Sequence, residues 1–112
     1  MELLYYPHKI NGPVREYLLT LKIERPKAAA RLAVDLQVLS TEGLRAPCIV
    51  VRPLGHGLWE LKRSYEGIQY RLFFTVHRGA AWFLHHIEKK SAKTPRNDLK
   101  LALRRLKEVV SQ

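Results

Sequence analysis

The sequence predicts an α+β domain in which an antiparallel β-meander packs against an N-terminal helical hairpin and a C-terminal helix. Two features support this. Apolar residues recur every three or four positions up to residue 43 and again after residue 94, which is the helical period. The stretch between them is rich in β-branched and aromatic residues, which favour strands. A length of 112 residues fits one domain spanning 1–112.

The N-terminal part predicts a strand followed by two helices. Leu3–Tyr6 is a short apolar run closed by Pro7. Pro13 suits the first turn of a helix, where its missing N–H costs nothing. Pro26 opens a second helix, which Gly43 ends.

The rest of the chain predicts the meander and a last helix. A β-branched run begins at Ile49, and three longer strand-like runs follow: Leu58–Ser64, Gln69–Val76 and Ala81–Ile87. Tight turns separate them at Glu66-Gly67 and Arg78-Gly79. Thr94 is predicted to cap the final helix, with Pro95 at its first position. The inner face of that helix is predicted to hold four apolar residues: Leu99, Leu103, Leu106 and Val110.

The charge balance points to an anionic partner. Twenty Lys and Arg against ten Asp and Glu give a net charge of +10, which favours nucleic acid, an anionic membrane or an acidic protein. The single cysteine, Cys48, precludes an internal disulfide and is predicted to be a small buried hydrophobe in a reducing compartment. The N-terminus lacks the pattern of a signal peptide, and no apolar run approaches the roughly 20 residues that span a bilayer, so we expect a cytoplasmic protein without a membrane partner.

Strand alternation sorts the charged residues by face. Glu60 and Lys62 share one face of their strand, and Arg71 projects away from the apolar face of the next. We therefore expect Lys62 and Arg71 to meet on the sheet face away from the helices. Further basic residues are expected to complete one patch: His85, Lys89, Lys90 and Lys93.

Such a patch suits metal-free cleavage of RNA. Attack of a ribose 2′-hydroxyl on its own phosphate builds negative charge, which fixed cations stabilise. Adjacent His85 and His86 point to opposite faces of a strand and cannot easily share a metal ion, so no metal site is predicted. The alternative is that these cations are solvated or bind phosphate without cutting.

The combined motifs resemble the RelE/ParE toxin superfamily, most closely its HigB-like, phage-derived RelE-like branch. The resemblance covers nearly the whole chain and is most specific over residues 54–106. Three motifs carry it: Leu58-Trp59-Glu60-Leu61-Lys62, Tyr70-Arg71-Leu72-Phe73, and Lys89-Lys90 with Lys93-Thr94-Pro95.

This resemblance implies a compact RelE-like fold and the toxin of a type II toxin–antitoxin system, which cleaves mRNA on the ribosome and so inhibits translation. No metal or other cofactor is implied, and the implied partners are the ribosome, mRNA and a helix-turn-helix, HigA-like antitoxin. Arg71 occupies the position that family members use on the scissile phosphate. The catalytic candidates are Lys62, Arg71, His85, Lys89 and Lys90. The RNA-binding candidates are Arg63, Lys93 and Arg96.

Some features leave alternatives open. The C-terminal tyrosine that assists attack in some RelE relatives is absent, because no tyrosine follows Tyr70. His85, a lysine of the cluster, Tyr65 or Tyr70 could serve as the general base. A ParE-like toxin that binds DNA gyrase and a non-enzymatic nucleic-acid-binding domain are the competing functions.

Overall fold

The computed structural model describes residues 1–89 and 93–112, and it confirms the predicted α+β class. The described helices are α1 (Pro13–Glu24), α2 (Pro26–Glu42) and α3 (Arg96–Val110). The described strands are β1 (Glu2–Tyr5), β2 (Val50–Gly55), β3 (Leu58–Tyr65), β4 (Ile68–His77) and β5 (Ala80–Lys89).

The strands form one sheet in the order β1-β5-β4-β3-β2. Strands β2 to β5 are an antiparallel meander, as the turn spacing predicts. Strand β1 lies at the far edge and pairs in parallel with β5, so that Leu4 is opposite Trp82. The first two strands of the chain, β1 and β2, therefore lie at the two opposite edges of the sheet.

Both faces of the sheet are covered, which makes three layers. The hairpin α1–α2 packs on one face, called the hairpin face, around Leu32, Leu72 and Phe74. Helix α3 packs on the other, called the α3 face, where Leu106 lies in one cluster with Phe73. The expectation that Lys62 and Arg71 lie on a face without helices was therefore wrong. The apolar stripe of α3 needs a sheet surface to cover, and the hairpin already occupies the other one.

The details of α3 differ from the sequence expectation. Pro95 is the N-cap and no side chain caps the helix, so Thr94 does not act as the cap. The fully buried positions are Ala102, Leu106 and Val109, whereas Val110 is 44% exposed. Positions 102, 106 and 109 follow the i, i+4, i+7 spacing of one helix face, and the small Ala102 lets that face approach the sheet closely.

Cys48 is exposed, which corrects its assignment to the core. The buried residue of this loop is its neighbour Ile49, which faces the hairpin cluster.

Within the described residues, no helix combines the length and the apolar character needed to cross a bilayer.

Candidate functional site

Strand register places three cationic residues on the α3 face. Lys62 of β3 is the cross-strand partner of Arg71 of β4. Two residues earlier on β4, Gln69 is the partner of Lys89 of β5. Because residues opposite one another in a sheet share a face, Lys62, Arg71 and Lys89 lie on the same face at one end of the meander.

A β-bulge brings His85 to the same face. The pairing of β4 with β5 shifts after Phe73, which lies opposite His85, while Phe74 lies opposite Phe83. Leu84 is therefore the extra residue of β5, and it belongs to the α3 cluster. His85 stacks on Phe73 with ring centroids 6.0 Å apart, on the α3 face. Strict alternation from Phe83 would have placed His85 under the hairpin instead.

Arg71 is at the centre of a buried polar network. Its Nη1 donates to the Thr94 hydroxyl at 3.0 Å and lies 3.5 Å from a Glu60 carboxylate oxygen. Its Nη2 donates to the side-chain oxygen of Gln69 at 2.6 Å. The Thr94 hydroxyl in turn donates to Glu60 at 3.3 Å, and Arg52 donates to the second Glu60 oxygen at 2.9 Å. This network ties β3, β4 and the residue before Pro95 together.

The burial of this network corrects the sequence expectation for Arg71. Arg71 was expected on a sheet face that no helix covers, but it is 1% exposed. Glu60 beneath it is 0% exposed. Two charges removed from water at this depth are stable only as a pair with satisfied hydrogen bonds, so Arg71 is also part of the core.

His85 is oriented by a carboxylate of α3. Its Nε2 lies 2.7 Å from Oδ1 of Asp98, in the first turn of the helix. The pair is half-buried, with 14% of the His85 side chain and 27% of the Asp98 side chain exposed. A carboxylate fixed on one ring nitrogen sets the orientation of the imidazole and leaves the other nitrogen for a substrate.

The remaining sequence candidates divide among three places. Lys93 and Arg96 are exposed at the start of α3. They lie within two residues of Thr94, which contacts Arg71. Arg63 lies apart from them, since its guanidinium forms a two-point hydrogen bond to the buried Asp35 of α2 on the hairpin face. Lys90 lies outside the described residues.

The two tyrosines considered as general bases also lie on the hairpin face. Tyr70 is 1% exposed, and its hydroxyl accepts from Arg25 of the hairpin at 3.3 Å. Tyr65 packs against the same cluster and lies under the guanidinium of Arg31 at 5.5 Å. Of the proposed bases, the described structure therefore brings only His85, Lys62 and Lys89 to the α3 face.

The candidate site contains four residues to which the sequence analysis assigned no role: Glu60, Gln69, Thr94 and Asp98. Strand alternation predicts that Glu60 shares a face with Lys62, but it does not predict that Glu60 is buried. Thr94 matches a helix cap in sequence, and only the tertiary structure shows its hydroxyl directed at Arg71. Asp98 carried no sequence signal, because its contact with His85 depends on the bulge.

A second cluster, on the hairpin face, holds the C-terminal end of β5 from the opposite side of the sheet. The Tyr17 hydroxyl and the Arg25 guanidinium both donate to the carboxylate of Glu88, and the Tyr17 ring stacks on His86 with centroids 3.9 Å apart. Burial raises the pKa of Glu88, but these two hydrogen bonds outweigh it, so the pKa is lowered overall. Burial, helped by the neighbouring His85, lowers the pKa of His86 to about 4. His86 is therefore neutral at physiological pH.

Chemically, the α3 face offers exposed cations and an oriented imidazole over a rigid buried ion pair. No group of three or more His, Cys, Asp or Glu residues that could hold a metal ion occurs in 1–89 and 93–112.

Comparison with known proteins gives a family for most of the chain. The family model described as "Phage derived protein Gp49-like (DUF891)" matches residues 17–107, from the middle of α1 to the last turn of α3. No curated protein matches the chain. No solved structure matches it either. The matched segment includes every described residue of the candidate site, and the chain therefore belongs to the phage-derived Gp49-like family, a family of RelE-like toxins.

Proposed function

We propose that this protein is the toxin of a type II toxin–antitoxin system and cleaves mRNA on the ribosome, which inhibits translation. The observation that carries the proposal is that Lys62, Lys89 and the oriented His85 lie on the same sheet face as the Arg71–Glu60 pair. Membership of a family of RelE-like toxins supports the toxin part.

In the proposed reaction, the 2′-hydroxyl of the mRNA attacks the adjacent phosphate. The 2′-O–P bond forms as the bond to the 5′-oxygen of the next nucleotide breaks. His85 takes the proton from the attacking 2′-hydroxyl and returns it to the departing 5′-oxygen, and Asp98 keeps its imidazole oriented throughout. Lys62 and Lys89 bind the phosphate oxygens and stabilise the charge that develops on them.

Arg71 receives a different role from the one that the resemblance implies. Its guanidinium is buried and directed at Glu60, Gln69 and Thr94. We therefore assign it as a positioning residue, which holds Gln69 beside Lys89 and fixes the entry to α3. Direct contact of Arg71 with the scissile phosphate remains a prediction from the family alone.

The proposed function also implies a compartment and a partner for the protein. A toxin of this type acts in the cytoplasm and needs a cognate antitoxin, for which we propose a helix-turn-helix, HigA-like protein. That partner should present acidic groups to the cations of the α3 face.

The test is cleavage of mRNA bound to purified ribosomes. The product should end in a 2′,3′-cyclic phosphate, and an mRNA with a 2′-deoxy sugar at the cut position should resist. His85→Gln should lower the cleavage rate by about 10²–10⁴-fold, as expected for loss of a general acid–base group. His8→Gln is the matched control, because His8 is exposed in the turn after β1, and it should cleave normally.

Two results would refute this assignment. Normal cleavage of the 2′-deoxy substrate would mean that water is the nucleophile. Intact ribosome-bound mRNA together with inhibited DNA gyrase would favour the ParE-like alternative.

A further inference from the structure

The ten carboxylates of the protein fall into two groups. Five of the ten carboxylates form hydrogen bonds or ion pairs with the body of the protein: Asp35, Glu60, Glu88, Asp98 and Glu108. The other five lie on β1, the hairpin and the β3–β4 turn: Glu2, Glu16, Glu24, Glu42 and Glu66. Both acidic residues of α3 are thus engaged, Asp98 with His85 and Glu108 with Tyr6.

The outer surface of α3 carries a line of exposed cations. Four exposed residues define the α3 stripe: Arg96, Lys100, Arg104 and Lys107. Their spacing of four, four and three keeps them within an arc of about 80°, opposite the buried side, over a length of about 16 Å. None of the four forms an ion pair with any residue in the described part of the chain.

The chemistry of the stripe distinguishes between possible anionic partners. A membrane-surface helix needs a free apolar face, whereas the apolar face of α3 is packed on the sheet. A protein interface needs apolar anchors at its centre, and the stripe has none. Single-stranded RNA is bound through aromatic stacking, and α3 contains no aromatic residue. A row of cations without stacking or apolar groups suits the phosphate backbone of duplex RNA, which proteins recognise by shape and charge.

We propose that the α3 stripe docks the protein on the phosphate backbone of duplex RNA in the ribosome. The inference rests on the proposed function for the identity of the RNA, and it adds a docking surface separate from the cleavage site. Arg96 is at the junction of the two surfaces. The stripe would hold the protein on the ribosome while the α3-face cations engage the mRNA.

The experiment measures binding to purified ribosomes without mRNA. The triple variant Lys100→Gln, Arg104→Gln, Lys107→Gln keeps good helix formers in α3 and lies outside the proposed cleavage site. The control Lys9→Gln, Lys22→Gln, Lys27→Gln removes three exposed cations outside α3, so both variants fall from +10 to +7. Circular dichroism melting checks that both fold.

The α3 variant should bind at least about tenfold more weakly at 0.1 M salt, and its log–log salt slope should be about 2–3 smaller. The control should keep its slope and most of its affinity. In cleavage assays the α3 variant should raise KM for the ribosome complex and leave kcat unchanged.

Several results would overturn the inference: no binding of the unaltered protein to ribosomes, normal binding of the α3 variant, or an equal loss in the control. Stripe-dependent binding to anionic lipid vesicles in place of ribosomes would also overturn it and assign the stripe to membranes. Because binding is measured without mRNA, a protein that binds through the stripe and cuts nothing would refute the proposed function alone.

Discussion

At the scale of single residues, the Arg71–Glu60 pair determines what mutagenesis of this protein can reveal. A fully buried carboxylate is tolerated only because a guanidinium lies 3.5 Å away and further donors reach it. Removal of one partner of such a pair leaves the other as an uncompensated buried charge. Loss of activity in an Arg71 variant therefore reports on folding before it reports on chemistry.

Arg71→Ala should reduce the free energy of unfolding by about 3–5 kcal/mol, because Glu60 stays buried without its main counter-charge. The measurement is urea unfolding followed by circular dichroism. Lys62→Ala on the same face is the control. Since Lys62 is only half-buried, it should cost less than about 1 kcal/mol.

The pair itself can be separated from the cavity that a truncation leaves. The double replacement Arg71→Met, Glu60→Leu removes both charges and keeps similar volume, so it should recover most of the lost stability. If Arg71→Ala unfolds at the urea concentration of the unaltered protein, the pair is not a structural element and the burial argument is wrong.

At the scale of elements, the end of β5 is held from both faces. Asp98 of α3 contacts His85 on one face, while Tyr17 of α1 stacks on His86 on the other. Adjacent residues of one strand thus connect it to two helices that do not belong to the same layer. The position of Lys89, near the end of β5, depends on both contacts.

His86 should make this protein less stable as the pH falls. Its folded pKa is about 4, below the value of about 6.5 in an unfolded chain. The unfolded state therefore takes up the proton first, so the contribution of neutral His86 is complete above pH 6.5 and is lost between about pH 6.5 and 4. Because His86 is only partly buried and solvent screens part of the effect, the loss between pH 7 and 5 should be on the order of 1 kcal/mol.

His86→Phe keeps a ring against Tyr17 and removes the titration. Urea unfolding at pH 7, 6 and 5 should show a smaller pH dependence for this variant than for the unaltered protein. Glu88 does not confuse the comparison, because its lowered pKa affects stability only at more acidic pH. Identical pH dependence in the two proteins would show that folding does not lower the pKa of His86.

The elements themselves were largely predictable from sequence, and their packing was not. Hydrophobic period and turn residues predict each helix and strand to within a few residues, and alternation alone pairs Lys62 with Arg71 on one face. The burial of Arg71 depends on Glu60 and Thr94, which are 11 and 23 residues away and approach it only after β3 and α3 have docked. The apolar stripe of α3 indicates that the helix packs on a surface, but local sequence does not say which face of the sheet.

At the scale of the whole molecule, the fold separates charge. Half of the carboxylates are used in pairs with the body of the protein, and the rest lie on β1, the hairpin and the β3–β4 turn. The α3 side carries both the candidate cleavage site and the α3 stripe, and both are rich in cations. Such a field speeds encounter with RNA and weakens as salt screens it.

Expression of this protein without its antitoxin should arrest growth by stopping protein synthesis first. The reason is that the positive surface and the oriented histidine suit an RNA target. Pulse labelling with amino acid and thymidine after induction is the measurement. The His85→Gln variant should express to a similar level without arrest. An earlier fall in thymidine incorporation would point to a target in DNA replication.

In genetic terms, the β-bulge means that β5 carries one residue more than its partner strand needs. Loss of the codon for Leu84 would yield a regular strand. Phe83, His85 and every residue after them would keep their present faces. A codon gained near the same point, without a second bulge, would exchange the faces downstream. Glu88 would then lie among the cations of the α3 face and Lys89 under the hairpin. Side chains of a strand alternate between faces with a period of two residues. A one-codon insertion that keeps the DNA reading frame would therefore still move candidate-site residues of β5 to the hairpin face.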